Sequence, residues 1–226
     1  MNKEHPIIFS TDMVRAILSG HKTMTRRPVK PQPKCEGLTG VYPDLYNKDP
    51  NQWAFWLPDN RMTEPRTWKP PYQVGDVLWV RETWCREWKD LVGFTGEYLY
   101  KADGVEVIHV DGLGKSPWCP SVHMPREAAR LFLKVKSVQV ERLQDITEED
   151  AQKEGIPACN KYLLDHEWGW CNYTLMAART QGRKTPNTAD YIGGFAYIWD
   201  TYYDEKGYGW NKNPWVWVIE FERVKS

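Results

Sequence analysis

Ile17-Leu18-Ser19-Gly20-His21-Lys22-Thr23-Met24-Thr25-Arg26-Arg27 is the stretch on which the reading of this chain turns. Just upstream, Met13, Val14, Ile17 and Leu18 recur at helical spacing and can share one buried face. Ser10 or Thr11 can cap that helix, because either hydroxyl accepts an orphan backbone N–H. Gly20 is placed to end it, since helix ends often need a left-handed residue. If the chain then runs extended, alternate side chains face the same way, and Thr23, Thr25 and Arg27 line one face. Lys22 sits at the turn, where its direction is open. A cation beside a hydroxyl can hold an anion or activate a nucleophile. The other reading is a solvated basic turn in which Lys22 satisfies the last carbonyls of the helix.

Composition narrows the classes. At 226 residues the chain can bury a sizeable core, as one large domain or a smaller one with long insertions. Lys plus Arg and Asp plus Glu are both 30, so no global field recruits nucleic acid. Binding to a polyanion would need a local basic patch. The 13 Trp and 12 Tyr point to an aromatic core or to surfaces on which bases stack. Cys35, Cys85, Cys119, Cys159 and Cys171 are odd in number and contain no CxxC pair, which argues against a zinc module or a disulfide framework. No apolar run is long enough to span a bilayer, and the opening MNKEHPIIFS lacks the apolar core of a signal peptide. The expectation is a cytoplasmic protein with no membrane contact, no metal and no cofactor.

Outward from the motif, Pro6 to Ser10 reads as a first strand. Prolines at 28, 31, 33, 43, 50, 58, 65, 70 and 71 forbid a long regular element, leaving an elaborated loop with one hairpin around Gln52 to Leu57. Val74 to Trp84 opens on a Gly75-Asp76 turn and continues as a central strand, apolar on both faces until Arg81 and Glu82. A carboxylate at the end of a buried strand needs a partner. Arg81 or Arg27 can supply it. Gly96 to Ala102 reads as a strand, with Val105 to Val110 as its mate. Before the next strand, Arg126 and Arg130 lie four apart and would share a face if helical, as phosphate or carboxylate ligands or as surface ion-pair donors. His123 nearby has no nucleophile adjoining it in sequence.

Leu131, Leu133 and Val135 alternate with Lys134 and Lys136, which marks a half-buried strand. Thr147 and Asp150 resemble a capping box, Ile146 and Ala151 a staple, and Gly155 ends the helix. Glu154 then lies in the last turn, against the dipole. An acid there either faces solvent or has a cationic partner; if desolvated, its proton affinity rises as a general acid or base requires. The segment 157–194 has no clean period and reads as an insertion with a loop at Gln181 to Thr188. Phe195, Ile198, Trp199 and Tyr202 form a helical face. Trp215 to Val224 closes the chain as a strand.

The Ile17–Arg27 run resembles the signature of the ASCH domain family, a helix followed by Gly-x-Lys-Thr and an arginine. The likeness continues through Gly75-Asp76-Val77-Leu78, through Leu143-Gln144-Asp145-Ile146-Thr147 with a short helix ending Glu154-Gly155, and into a final strand. The whole order is similar to longer, Trp-rich members from phages and prophages, which also carry runs like Ser121-Val122-His123-Met124-Pro125-Arg126 and Asn213 to Phe221. The resemblance implies an α+β fold: a PUA-like mixed β-barrel with flanking helices, as a single domain over 1–226 with insertions at about 28–74 and 156–194. It implies recognition of RNA, a nucleotide or a nucleoside.

One compact bacterial member is an amidohydrolase that removes the acetyl group of N4-acetylcytidine with a lysine, a threonine and a glutamate. These fall at Lys22, Thr25 and Glu154, and Arg27 matches an arginine of the same motif. The expected catalytic set is therefore Lys22, Thr25 and Glu154, with Arg26, Arg27, Glu82, Arg126 and Arg130 binding substrate. Thr25 would attack the acyl carbonyl, or would position a water that does. Other members are linked to ribonuclease activity or RNA binding, so a non-catalytic binder of RNA or modified nucleic acid is the alternative.

Overall fold

The computed structural model describes residues 3–33, 40–43, 53–56, 68–89, 93–105, 118–156 and 191–224. The helix ahead of Gly20 runs Thr11–Leu18 (α1), with Val14 and Ile17 buried. Ser10, not Thr11, is its cap, accepting the Met13 N–H at 3.4 Å. Gly20 takes φ of +80°, the left-handed turn expected of it. Two further helices are α2, Glu148–Lys153, and α3, Tyr191–Tyr203. The strands are β1 Glu4–Ile8, β2 Met24–Pro28, β3 Gly40–Pro43, β4 Trp53–Trp56, β5 Val77–Arg81, β6 Trp84–Lys89, β7 Gly93–Tyr100, β8 Phe132–Arg142 and β9 Trp215–Arg223.

Five strands hydrogen-bond in the order β1-β5-β8-β9-β2. β1 runs parallel to β5, while β5–β8 and β2–β9 are antiparallel, so the sheet is mixed and the class is α+β. The expected closure into a barrel is not seen: among the described residues β1 and β2 are the ends of that order. β3 pairs with β4, which places the hairpin foreseen at Gln52 to Leu57. β6 pairs with β7, a partnership the sequence did not signal. Most of Val105 to Val110, most of the 156–194 insertion and its loop at Gln181 to Thr188 lie outside the described residues.

Two compact units emerge, one from Met1–His21, Val74–Lys136 and Phe221–Ser226, the other from Lys22–Gln73 and Ser137–Glu220. In the first, Ile7, Phe9, Val14, Ile17, Leu78, Val80, Leu133 and Val135 are buried, and the rings of Phe9 and Phe221 sit 6.1 Å apart. Leu133 and Val135 point in while Lys134 and Lys136 point out, as alternation along a half-buried strand requires. Residues 121–123 and 126–128 form single 3-10 turns rather than a helix. Pro125 separates the two turns, because proline disfavours helical geometry in the residue before it, and Met124 is extended.

In the second unit, β9 is buried on both faces from Trp215 to Ile219. Phe195, Ile198 and Trp199 of α3 are buried, but Tyr202, expected on the same face, is 40 % exposed. α2 is short, so its ends govern it. Thr147 accepts the Asp150 N–H at 3.1 Å, and Ile146 and Ala151 are both buried. The capping box is only half made, because the Asp150 carboxylate turns instead to Arg26 at 3.2 Å. Thr147→Ala should therefore lower stability by about 1 kcal/mol, the usual worth of such a cap, and Thr147→Ser should restore most of it. Denaturant midpoints at unchanged m-value measure this; a midpoint unaltered by the alanine would contradict the capping assignment.

Candidate functional site: a buried lysine–glutamate pair

Lys22 follows the turn at Gly20 and precedes β2. Its backbone and that of Glu154 form an isolated antiparallel bridge, and the Thr23 N–H donates to the Lys153 carbonyl at 2.8 Å. Two segments 132 residues apart in sequence are thereby fixed side by side. Lys22 Nζ donates to Glu154 Oε2 at 2.8 Å and to the Glu154 carbonyl at 2.7 Å. Both residues are buried, at 2 % and 6 % exposure. Lys22 thus does satisfy a helix-end carbonyl, but that of α2 and not of α1.

Glu154 ends α2, where the dipole opposes a carboxylate. Its second oxygen, Oε1, faces Arg26 Nη1 at 3.4 Å. Arg26 also donates to Glu141 Oε1 from Nε at 3.0 Å and Nη2 at 2.6 Å, and to Asp150 Oδ2 at 3.2 Å. Its guanidinium lies 5.8 Å from the centre of the Phe195 ring. The Arg26 side chain is wholly buried.

Burial is the largest influence on Lys22 and pushes its proton affinity below the ordinary 10.5. Glu154 pulls it back up, by charge and by hydrogen bond, but Arg27 and then Arg26 push it down. An ammonium stripped of water and flanked by two guanidinium groups gives up its proton more readily than one in solvent. The half-buried Arg27 also donates to the Arg26 carbonyl at 3.4 Å and lies within electrostatic reach of the Tyr72 hydroxyl, whose pKa is raised chiefly by burial.

Thr25 is buried too, in register with Ile219. Alternation along β2 places Thr25 and Arg27 on one face and Met24 and Arg26 on the other. No hydrogen bond joins the Thr25 hydroxyl to Lys22 or Glu154. The structure thus brings Lys22, Glu154 and Arg26 together and leaves Thr25 close in sequence but on the opposite face from Arg26.

The remaining expected residues belong to the other unit. The partner of Glu82 is Arg130, neither Arg81 nor Arg27. Arg130 grips Glu82 with Nε and Nη2 at 2.9 and 3.0 Å, and Asp103 with Nη1 and Nη2 at 2.7 and 2.8 Å. It stacks 3.9 Å from the Tyr100 ring centre. Arg81 instead donates to the carbonyls of Met124 and Val122. Arg126 pairs with the exposed Glu4 at 2.9 Å and covers the Phe132 ring. Arg126 and Arg130 therefore reach different acids, and His123 is exposed. Among the described residues no cluster of three or more His, Cys, Asp and Glu could hold a metal, and no helix is long and apolar enough to cross a membrane.

Glu141, Asp150 and Asp103 were not foreseen. Asp150 carried a signal, since it lies four residues before Glu154 on one helical face. Glu141 and Asp103 carried none that a single sequence exposes.

Lys22 holds its proton less tightly in the fold than in the unfolded chain, where its value is the ordinary 10.5. Between those two values the unfolded state binds the extra proton, so stability rises with pH across that window and is flat below it. Relative to Lys22→Met, the wild type should gain stability as pH climbs from the lowered folded value to 10.5. Denaturant midpoints of both proteins across the alkaline range test this; parallel curves would refute the lowered affinity. Compared with known proteins, the chain matches no family model, no curated protein and no solved structure.

Proposed function

We propose that this chain is a PUA-like protein of the ASCH type that hydrolyses the amide of an N4-acylated cytidine or a related modified nucleoside. The observation that carries the reading is the buried contact of Lys22 Nζ with Glu154 Oε2 at 2.8 Å, in surroundings that weaken the lysine's hold on its proton. A lysine is a poor base while it stays charged. Desolvation and adjacent cations are the physical means of making it an amine near neutral pH.

In the proposed reaction the Lys22 amine takes the proton of the attacking hydroxyl as its oxygen bonds to the acyl carbon. Glu154, hydrogen-bonded to Lys22, relays that proton to the nitrogen as the C–N bond breaks. The products are the free exocyclic amine and the acyl group, released as carboxylate once water has supplied its oxygen. Thr25 is the proposed hydroxyl, directly or by holding a water. Its part rests on the resemblance and on its burial in β2, three residues after Lys22, since it shares no hydrogen bond with the pair.

Polyanion binding draws less support. Binding of a polyanion would call on Arg26, Arg27, Arg126 and Arg130, and of these Arg26, Arg126 and Arg130 are each paired with carboxylates. A phosphate would have to displace ion pairs already formed, two of which are forked.

A panel of N4-acetylcytidine and other acylated nucleosides tests the proposal. Wild type should turn over at least one, and Lys22→Ala, checked for folding, should lose about 100-fold or more in kcat/KM, the scale of a lost general base. Thr25→Val should match that loss, while Thr25→Ser should retain activity if the hydroxyl attacks. No turnover across the panel, or full activity in Lys22→Ala, would dismiss the hydrolase.

A further inference from the structure

We infer that Arg26 is a positioning residue rather than a substrate ligand: anchored by Glu141 and Asp150, it holds Glu154 Oε1 so that Oε2 is aimed at Lys22 Nζ. Three observations carry this. The Arg26 side chain has no exposure to solvent, so a substrate has no access to its guanidinium. Its nitrogens are directed at three carboxylates contributed by β8 and by two successive turns of α2. The two oxygens of Glu154 are divided, Oε1 to Arg26 at 3.4 Å and Oε2 to Lys22 at 2.8 Å. A carboxylate held at one end presents the other end in a single rotamer.

The arrangement has an electrostatic consequence. Arg26 adds a positive charge near Lys22 and draws part of the Glu154 charge to itself. Both effects favour the neutral amine. Among the described residues the charged groups acting on Lys22 are Arg26 and Arg27 from β2 and Glu154 at the end of α2. Behind Arg26 stand Asp150, itself 4.0 Å from Lys153 Nζ, and Glu141 of β8. The anchoring acids temper Arg26. Removing its charge should raise the Lys22 midpoint, whereas neutralising Glu141 should lower it. The bearing of this on catalysis rests on the hydrolase reading; the titration itself does not.

The experiment is a titration of Lys22 by NMR in the full chain with isotope-labelled lysine, the resonance being assigned by its loss in Lys22→Met. In Arg26→Gln the Lys22 midpoint should move up by about one pH unit, the scale of one removed neighbouring charge. In Glu141→Gln, whose side chain is partly exposed and whose loss leaves Arg26 in place, it should move the other way. Opposite shifts support the inference. A midpoint unmoved in either folded variant, or a downward shift in Arg26→Gln, overturns it, and Glu141→Gln alone decides should Arg26→Gln not fold. Turnover of N4-acetylcytidine is read in parallel: shifts without turnover in any protein would sink the hydrolase and leave the role of Arg26 standing, while turnover without shifts would do the reverse.

Discussion

A buried ammonium must be matched where it lies, and this is the constraint around which the second unit is built. Moving a lysine or a carboxylate out of water costs several kcal/mol even after the protein relaxes. One ion pair at contact distance in a partly polarisable site returns about 4 kcal/mol. A single Lys22–Glu154 contact would therefore not break even. The surplus comes from neighbours: the Glu154 carbonyl on Lys22, Arg26 on the far oxygen, and Glu141 and Asp150 on Arg26. Three carboxylates then face Lys22 and Arg26, and Arg27 brings a third positive charge into range of Lys22. Within such a network the fully buried members depend most on their partners, because removing one leaves a charge where water solvates it poorly.

The first unit solves a related problem with simpler means. Glu82 is as fully buried as Lys22. Burial pushes its carboxyl up, and the hydrogen bonds and charge of Arg130 oppose that. Because Arg130 is fixed by two forks and by a ring, it is oriented from both sides. The two clusters differ in the species at their centre. A guanidinium stays charged across the working range of pH, so Arg130 is a fixed charge between Glu82 and Asp103. A lysine amine can lose its proton, so the charge at the centre of the Lys22 cluster can change with the chemistry.

What could be read in advance follows from the range of the forces involved. Helix ends are local, and so Gly20, Thr147 and Gly155 were legible, a cap at Ser10 or Thr11 was foreseen, and a cation was one of two fates open to Glu154 at the end of α2. Alternation is local as well, and it separated the faces of β8. The lysine's direction was not legible, because a turn leaves it undetermined. The surroundings of Arg26 were not legible: nothing in a linear pattern shows three carboxylates converging on it. Glu82 failed in the same way. Its neighbours in sequence offered arginines, yet the partner lies 48 residues away, across strand pairing that hydrophobic period does not encode.

The separation of Thr25 from the pair constrains the chemistry. On an extended strand a residue three positions on from Lys22 faces the opposite side, so the proposed meeting of a hydroxyl at 25 with Lys22 depends on Lys22 preceding β2 and leaving its alternation. The lysine is influenced from both sides of the strand, by Arg27 more than by Arg26. In the proposed relay a hydroxyl on the Arg27 side and a carboxylate on the Arg26 side flank the same nitrogen. That ordering, hydroxyl then amine then carboxylate, is the one a proton relay from attacking oxygen to leaving nitrogen requires.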